Sequence, residues 1–220
     1  MNHLSGADRL ANRYRVMRHG QSKANEAGVI VAAIESDRRG DYGLSEAGLR
    51  QARAAADACG LPADTVICSS DFARAQQTAE IVRARIGAAE VTAAEALRER
   101  CFGDLEGDTV ASYARVWEAD EAHEADQAGR ANKADQEGAG HPLGVEPAAA
   151  VLDRVTALVA YLERRHAGRD ILLVSHGDTL QILEAGFLRL DPSRHRRLSP
   201  LATAEIRELR LAGEPSRPRS

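Results

Sequence analysis

What this chain has little of narrows its function first. It holds three cysteines, Cys59, Cys68 and Cys101, too few and too scattered for a disulfide framework, and no two stand at zinc-ligand spacing. No run of about 18 apolar residues occurs, so no membrane-spanning helix is expected. Residues 1–12, MNHLSGADRLAN, lack the apolar core of a signal peptide, and the expected location is the cytoplasm. Positive charge is not in excess. Twenty-nine Lys and Arg against 33 Asp and Glu leave −4 at pH 7 and a pI near 6.0, which argues against a sequence-independent nucleic-acid binder. Lysine is almost missing, at Lys23 and Lys133 alone, so the other 27 cations are arginines. Arginine's planar fork suits phosphate and carboxylate, but a bias spread over the whole chain reads first as compositional drift.

What is present is enough for one large domain: 220 residues and 23.7 kDa, 44% hydrophobic and 28% charged. Those proportions exclude collagen-like, coiled-coil and wholly disordered chains. Residues 14–17 (YRVM) read as a short strand ending at Arg18-His19-Gly20, followed by a Gly- and charge-rich stretch to Gly43. Ser45 can cap a helix on which Leu49, Ala52, Ala56 and Cys59 recur, stopped by Gly60-Leu61-Pro62. Residues 64–68 (DTVIC) form a buried strand. Phe72, Ala75, Ala79, Val82 and Ile86 then mark a helix, with a weaker strand at 90–92.

Residues 108–145 differ in character: between Glu118 and Glu137 seven acids face Arg130 and Lys133, with few large apolar side chains. A helix there is expected to be polar nearly all round, a solvated lid-like excursion and not a second domain. Val151, Leu152, Val155, Leu158, Val159 and Leu162 give the clearest helix. Residues 170–174 (DILLV) are a buried strand running into Ser175-His176-Gly177. Asp178 is expected to cap a helix over 179–187, 203–211 to add a last strand, and 213–220 to be a loose tail. This alternation predicts a single domain over 1–220, a three-layer α/β/α sandwich around a mainly parallel sheet, with its site beyond the carboxyl ends of the strands.

Two segments echo each other, VMRHG at 16–20 and LVSHG at 173–177, each a buried strand ending in His-Gly. A third strand, VICSS, runs into a helix whose first turn carries Arg74. A lone His-Gly is ordinarily structural, and a lone Arg in a first turn is ordinarily an exposed residue opposed by the helix dipole. Three such pieces on three strands gather His19, His176, Arg18 and Arg74 at one rim, an anion hole of phosphoryl size. Glycine after each histidine is expected to let backbone approach a ligand.

These residues resemble a family. Arg18-His19-Gly20-Gln21-Ser22-Lys23-Ala24-Asn25 is similar to the R-H-G-x-S-x-x-N signature of the histidine phosphatase superfamily, also called phosphoglycerate-mutase-like. Leu44-Ser45-Glu46-Ala47-Gly48 with Gln51-Ala52, and Ser69-Ser70-Asp71-Phe72-Ala73-Arg74-Ala75 with Thr78-Ala79, resemble its next two segments. Leu97-Arg98-Glu99-Arg100 with Gly103 and Glu106-Gly107 resembles its acid-bearing loop, and Val174-Ser175-His176-Gly177 its second histidine motif. The segments come in family order over residues 14 to about 187.

The resemblance implies a phosphoglycerate-mutase-like fold and a phosphomonoester hydrolase needing neither metal nor cofactor. His19 would be the nucleophile, neutral at the attacking nitrogen because a backbone carbonyl holds the other. Arg18, Arg74 and His176 would hold the phosphoryl oxygens, and Glu99 would protonate the leaving alkoxide and then activate water. Gln21, Asn25, Gly177 and Arg100 are added as phosphate-binding contacts, while Glu106 and Glu146 read as structural. The expected partner is a small phosphomonoester, with no nucleic acid or membrane; the oligomeric state, a homodimer included, is open.

Three other readings compete. Cys68-x5-Arg74 matches the cysteine-dependent phosphatase pattern, but the intervening SSDFA has no glycine and puts a carboxylate, Asp71, where the anion would lie. A phosphoglycerate-type phosphomutase would need a Lys and an adjacent Arg pair after the acid loop. Here only Arg115, Arg130 and Lys133 occur, with Arg38-Arg39 as a substitute clamp, and Ala24 stands where mutases usually carry tryptophan. A non-catalytic phospho-ligand module would typically have lost a histidine or the acid, yet all are present.

Overall fold

The computed structural model describes residues 1–39, 42–120 and 142–214. Five strands among them, β1 (Arg13–Arg18), β2 (Val66–Ser69), β3 (Val91–Ala93), β4 (Asp170–Ser175) and β5 (Ile206–Leu209), make one sheet in the order β3-β2-β4-β1-β5. Neighbours are parallel except β5, which runs antiparallel to β1. Register pairs Arg18 with Ser175 and Ser69 with Val174, so β1, β4 and β2 end at one level.

Alternation along the strands splits the core into two layers. Tyr14 and Val16 of β1, and Ile171 and Leu173 of β4, pack with α6 (Ala148–Arg165) and α7 (Gly177–Phe187). Met17, Leu172, Val174 and Ile67 pack on the opposite face with α3 (Glu46–Ala58) and α4 (Ala73–Ile86). Helix α6 forms because Val151, Val155, Val159 and Leu162 recur on one buried face, each worth about 1.5–3 kcal/mol of transfer free energy. The fold is therefore the expected α/β/α sandwich.

Two short helices stand in the Gly- and charge-rich stretch before Gly43, α1 (Lys23–Ala27) and α2 (Ile34–Arg39). A capping box forms α1: Ser22 Oγ accepts from Asn25 N at 3.2 Å while Asn25 Oδ1 accepts from Ser22 N at 3.0 Å.

The expected polar excursion is corrected where it is described. Residues 113–120 are helical, here α5, and Tyr113, Val116, Trp117 and Asp120 fall at i, i+3, i+4 and i+7 on one face. Val116 is buried in a small separate core with Ile30, Ala32, Phe102, Leu105 and Val145. The acid-rich sequence that follows masks this stripe in any average over a longer window. The centre of the expected lid, 121–141, and the tail from 215 lie outside the described residues.

Candidate active site

The carboxyl ends of β1 and β4 set His19 and His176 beside each other, ring centres 5.1 Å apart and 65° between planes. His19 Nδ1 donates to Gly20 O at 2.7 Å, the backbone carbonyl anticipated for it. Its Nε2 lone pair accepts from Arg74 Nε at 3.1 Å. The proton is therefore on Nδ1 and the lone pair on Nε2. Burial, then the charges of Arg74 and Arg18, hold this imidazole well below its ordinary pKa, so it is neutral at pH 7. His176 is fully buried and held low for the same first reason, with its Nε2 2.9 Å from Ser70 Oγ.

Arg74 is 4% exposed, not the open first-turn residue such positions usually hold. Its Nη2 donates to Val31 O at 2.8 Å, and Nη1 lies 3.5 Å from Asp37 Oδ1. Nothing in the sequence singles out Asp37, on α2. Its Oδ2 accepts from Ala73 N at 2.9 Å, capping α4, whose own N-cap Phe72 supplies no side-chain bond. One carboxylate thus fixes both the helix start and its arginine, and no local spacing announces it.

Among the described residues three buried nitrogens around this point lack hydrogen-bond partners: Arg18 Nε, Arg74 Nη1 and His176 Nδ1. Leaving such groups unmet costs about 1–3 kcal/mol each, which an anion placed between them would recover. Arg18, His19, Asn25, Arg74, Glu99 and Gly177 line one cavity of about 260 Å³. Asn25 spends its carbonyl on the α1 cap and keeps its amide free among the described residues.

Glu99 stands at the same cavity as a suitable acid. Its Oε1 accepts from Arg100 N at 3.0 Å and from Thr179 Oγ1 at 3.1 Å, leaving Oε2 without a partner among the described residues. Burial first, then the neighbouring Asp178 carboxylate, push its pKa up, which favours a carboxyl able to give a proton.

Other expectations are corrected. Arg100 is fully buried and away from the cavity lining, its fork spent on Asp120 at 2.6 and 2.8 Å and its Nε on Glu146 O at 2.7 Å. It anchors α5. Gln21 does not line the cavity either, its Oε1 accepting from Ser45 Oγ at 2.9 Å, and His176 stands behind His19 outside the lining. Asp178 is not the α7 cap. His176 holds that position, and Asp178 is buried in the first turn within 3.5 Å of Arg100, His195 and Arg196, accepting from Trp117 Nε1 at 3.2 Å. Gly20 serves packing, not ligand approach: a Cβ there would meet Gly48 O at 2.6 Å, and one on Gly48 would meet Gln21 O at 1.9 Å. Two glycines let α3 press on the loop that follows His19. Gln51 and Thr78 complete that contact by accepting from Gln21 N at 2.9 Å and Gly20 N at 3.1 Å.

The rival cysteine fails on position, since Cys68 is buried inside β2, off the cavity, and burial pushes its thiol up to about 11. Arg38 is exposed and off the cavity. Asp71 is no alternative acid, because hydrogen bonds from Arg98 at 2.6 and 2.9 Å hold its carboxyl below its usual range. Among the described residues no three His, Cys, Asp or Glu could hold a metal ion together, and no helix is long and apolar enough to cross a membrane.

The model of the histidine phosphatase superfamily, branch 1, matches residues 15–219. The chain belongs to that superfamily. The superfamily's phosphatase and mutase members both resemble it. A metal-independent phosphoserine phosphatase of Arabidopsis thaliana is 31% identical over 80% of this chain and 67% of its own. Phosphoglycerate mutase-like protein 4 of the same plant is 28% identical over 89% and 78%. A mycobacterial glucosyl-3-phosphoglycerate phosphatase solved with VO3 superposes with a TM-score of 0.68 at 30% identity, over 89% of this chain and 91% of that one.

Proposed function

We propose that this histidine phosphatase hydrolyses a small phosphomonoester through a phosphohistidine, without a metal. The observation that carries the reading is His19: a neutral imidazole whose lone pair sits on Nε2, beside three buried nitrogens without a hydrogen-bond partner among the described residues. Nε2 attacks phosphorus in line, the P–O ester bond breaks, and Glu99 gives its proton to the departing alkoxide. Arg18, Arg74 and His176 meet the charge on the equatorial oxygens, the task a divalent cation performs in other phosphoryl-transfer sites. Asn25 and the Gly177 backbone support the same oxygens. Water, deprotonated by the now ionised Glu99, then attacks the phosphohistidine and releases inorganic phosphate.

Hydrolysis is favoured over mutase chemistry because no adjacent arginine pair lines the cavity among the described residues. The phosphatase relatives act on phosphorylated small molecules, and the same class is proposed here. The test is a panel of metabolite phosphates in the presence of a chelator, scored for inorganic phosphate and for isomerised product. Phosphate release insensitive to chelator and blocked by vanadate is expected, since the cage suits a five-coordinate oxyanion. Isomerisation without phosphate release would make it a mutase, and loss in chelator restored by a divalent cation would remove the metal-free route.

A further inference from the structure

Glu99 is held from behind by a residue that does not reach the cavity. Thr179, fully buried in the first turn of α7, is absent from the lining to which Glu99 belongs. Its N–H donates to Glu99 Oε1 at 3.3 Å, and its Oγ1 stands 3.1 Å from the same oxygen. With Arg100 N at 3.0 Å, three donors surround Oε1. The N-cap of α7, His176, gives that helix no side-chain bond, so the Glu99 carboxyl caps it from another loop.

The Thr179 hydroxyl has one proton and two acceptors within reach, Glu99 Oε1 and, at 2.9 Å, Arg98 O. Arg98 O also accepts from Arg154 Nη1 at 3.0 Å, so the hydroxyl can turn away without leaving that carbonyl unmet. A threonine in the first turn of a helix ordinarily serves the helix or its packing. This one bonds the acid through both its backbone and its side chain, and at the oxygen that is not the open Oε2. From the surrounding elements, Arg74 of α4, Tyr113 of α5 and Asp178 of α7 also act on Glu99 by charge.

We infer that Thr179 is the positioning residue that commits the Glu99 proton to Oε2 and steadies the carboxylate once that proton has gone. This rests on the phosphomonoesterase reading above. An oxygen ringed by donors has no room for a proton of its own, so the neutral carboxyl carries it on Oε2. In the first step the Oε2–H bond breaks, the proton goes to the departing alkoxide, and the electron pair stays on the carboxylate. An ionised carboxylate is a stronger acceptor than a backbone carbonyl, so the hydroxyl proton turns from Arg98 O to Oε1 as the charge appears. The bond is then stronger in the transition state than before it, which is the condition for it to raise the rate. When Glu99 takes a proton from water in the second step, the same movement runs backwards.

The test compares benzyl phosphate with nitrophenyl phosphate, esters of similar size of which only the first leaves as a basic alkoxide. It reads kcat/KM, which covers the steps up to loss of the alcohol and excludes hydrolysis of the phosphoenzyme. Thr179→Val keeps the branched shape and drops the hydroxyl. In it kcat/KM for benzyl phosphate should fall by about 3–30-fold, part of the value of one hydrogen bond to a charged group, and far less for nitrophenyl phosphate. The alkaline limb of the benzyl phosphate pH profile should also move up, because the carboxylate has lost a donor, and Thr179→Ser should restore both. Both substrates are measured on one preparation, so loss of folded protein cancels in the ratio. Equal losses on the two esters, no loss on either, or an unmoved limb overturn the role of Thr179 and leave the phosphatase reading standing. If the wild type releases phosphate from neither ester and from none of the metabolite panel, the phosphatase reading falls and this inference with it.

Discussion

At the phosphoryl end of the cavity both histidines are placed directly by strand ends, whereas the opposite wall hangs mainly on side-chain contacts. His19 and His176 follow β1 and β4, two neighbouring strands in fixed register, and His19 is oriented by its own next carbonyl. Tyr113, Trp117 and Arg196 rest on α5 and a 3-10 turn, joined to the body through Asp178, Asp120 and Arg100. The sheet is hard to alter without losing the core, so it carries the chemistry. The wall can change one side chain at a time, which leaves it freer to vary than the sheet.

Breaking the strand-built end should cost most. His19→Ala removes the nucleophile and should lower turnover of every phosphomonoester by about 10⁴–10⁶-fold with the fold intact by circular dichroism. Glu99→Gln should slow phosphoenzyme formation from alkyl phosphates by about 10²–10⁴-fold, and far less from nitrophenyl phosphate, whose phenolate leaves without a proton. Burst rates on the two substrates decide this; equal losses would make Glu99 a turn residue.

Gly48→Ala probes the contact behind the nucleophile without touching ligand. The added methyl would fall 1.9 Å from Gln21 O, so it should cost about 1–3 kcal/mol in urea unfolding and also lower kcat/KM, because the His19 loop must shift. Acid titration comes last because it acts on stability and not on turnover. Both buried imidazoles have folded pKa values well below the ordinary one near 6.5, so below that pH the unfolded chain binds protons the folded one refuses. Stability is full above this window and falls on acidification, with a slope approaching about 1.4 kcal/mol per pH unit for each histidine. Urea melts from pH 7 to 5 should show that slope, and His176→Asn should make it shallower.

The same division explains how far the sequence could be read. β4 is legible because DILLV is a continuous apolar run buried on both faces, and the histidine motifs follow such runs directly. Glu99 is legible as part of an ordered motif, though its unpartnered oxygen appears only in three dimensions. Asp37, Asp178 and Arg196 are not legible. Each acts through partners distant in sequence, Asp37 on Arg74 and Arg196 on Trp117, and nothing local distinguishes them from surface charges. Helix α1 depends on a five-residue capping geometry too short for periodicity, and α5 hides a four-residue face inside an acidic stretch.

The central claim is that phosphoryl transfer passes through His19 Nε2. A brief reaction with a labelled phosphomonoester, quenched and mapped by residue, tests it most directly. Acid-labile, base-stable label on His19, forming faster than phosphate is released, is the expected result. Label on Cys68, or steady turnover with no label on any histidine, would contradict it.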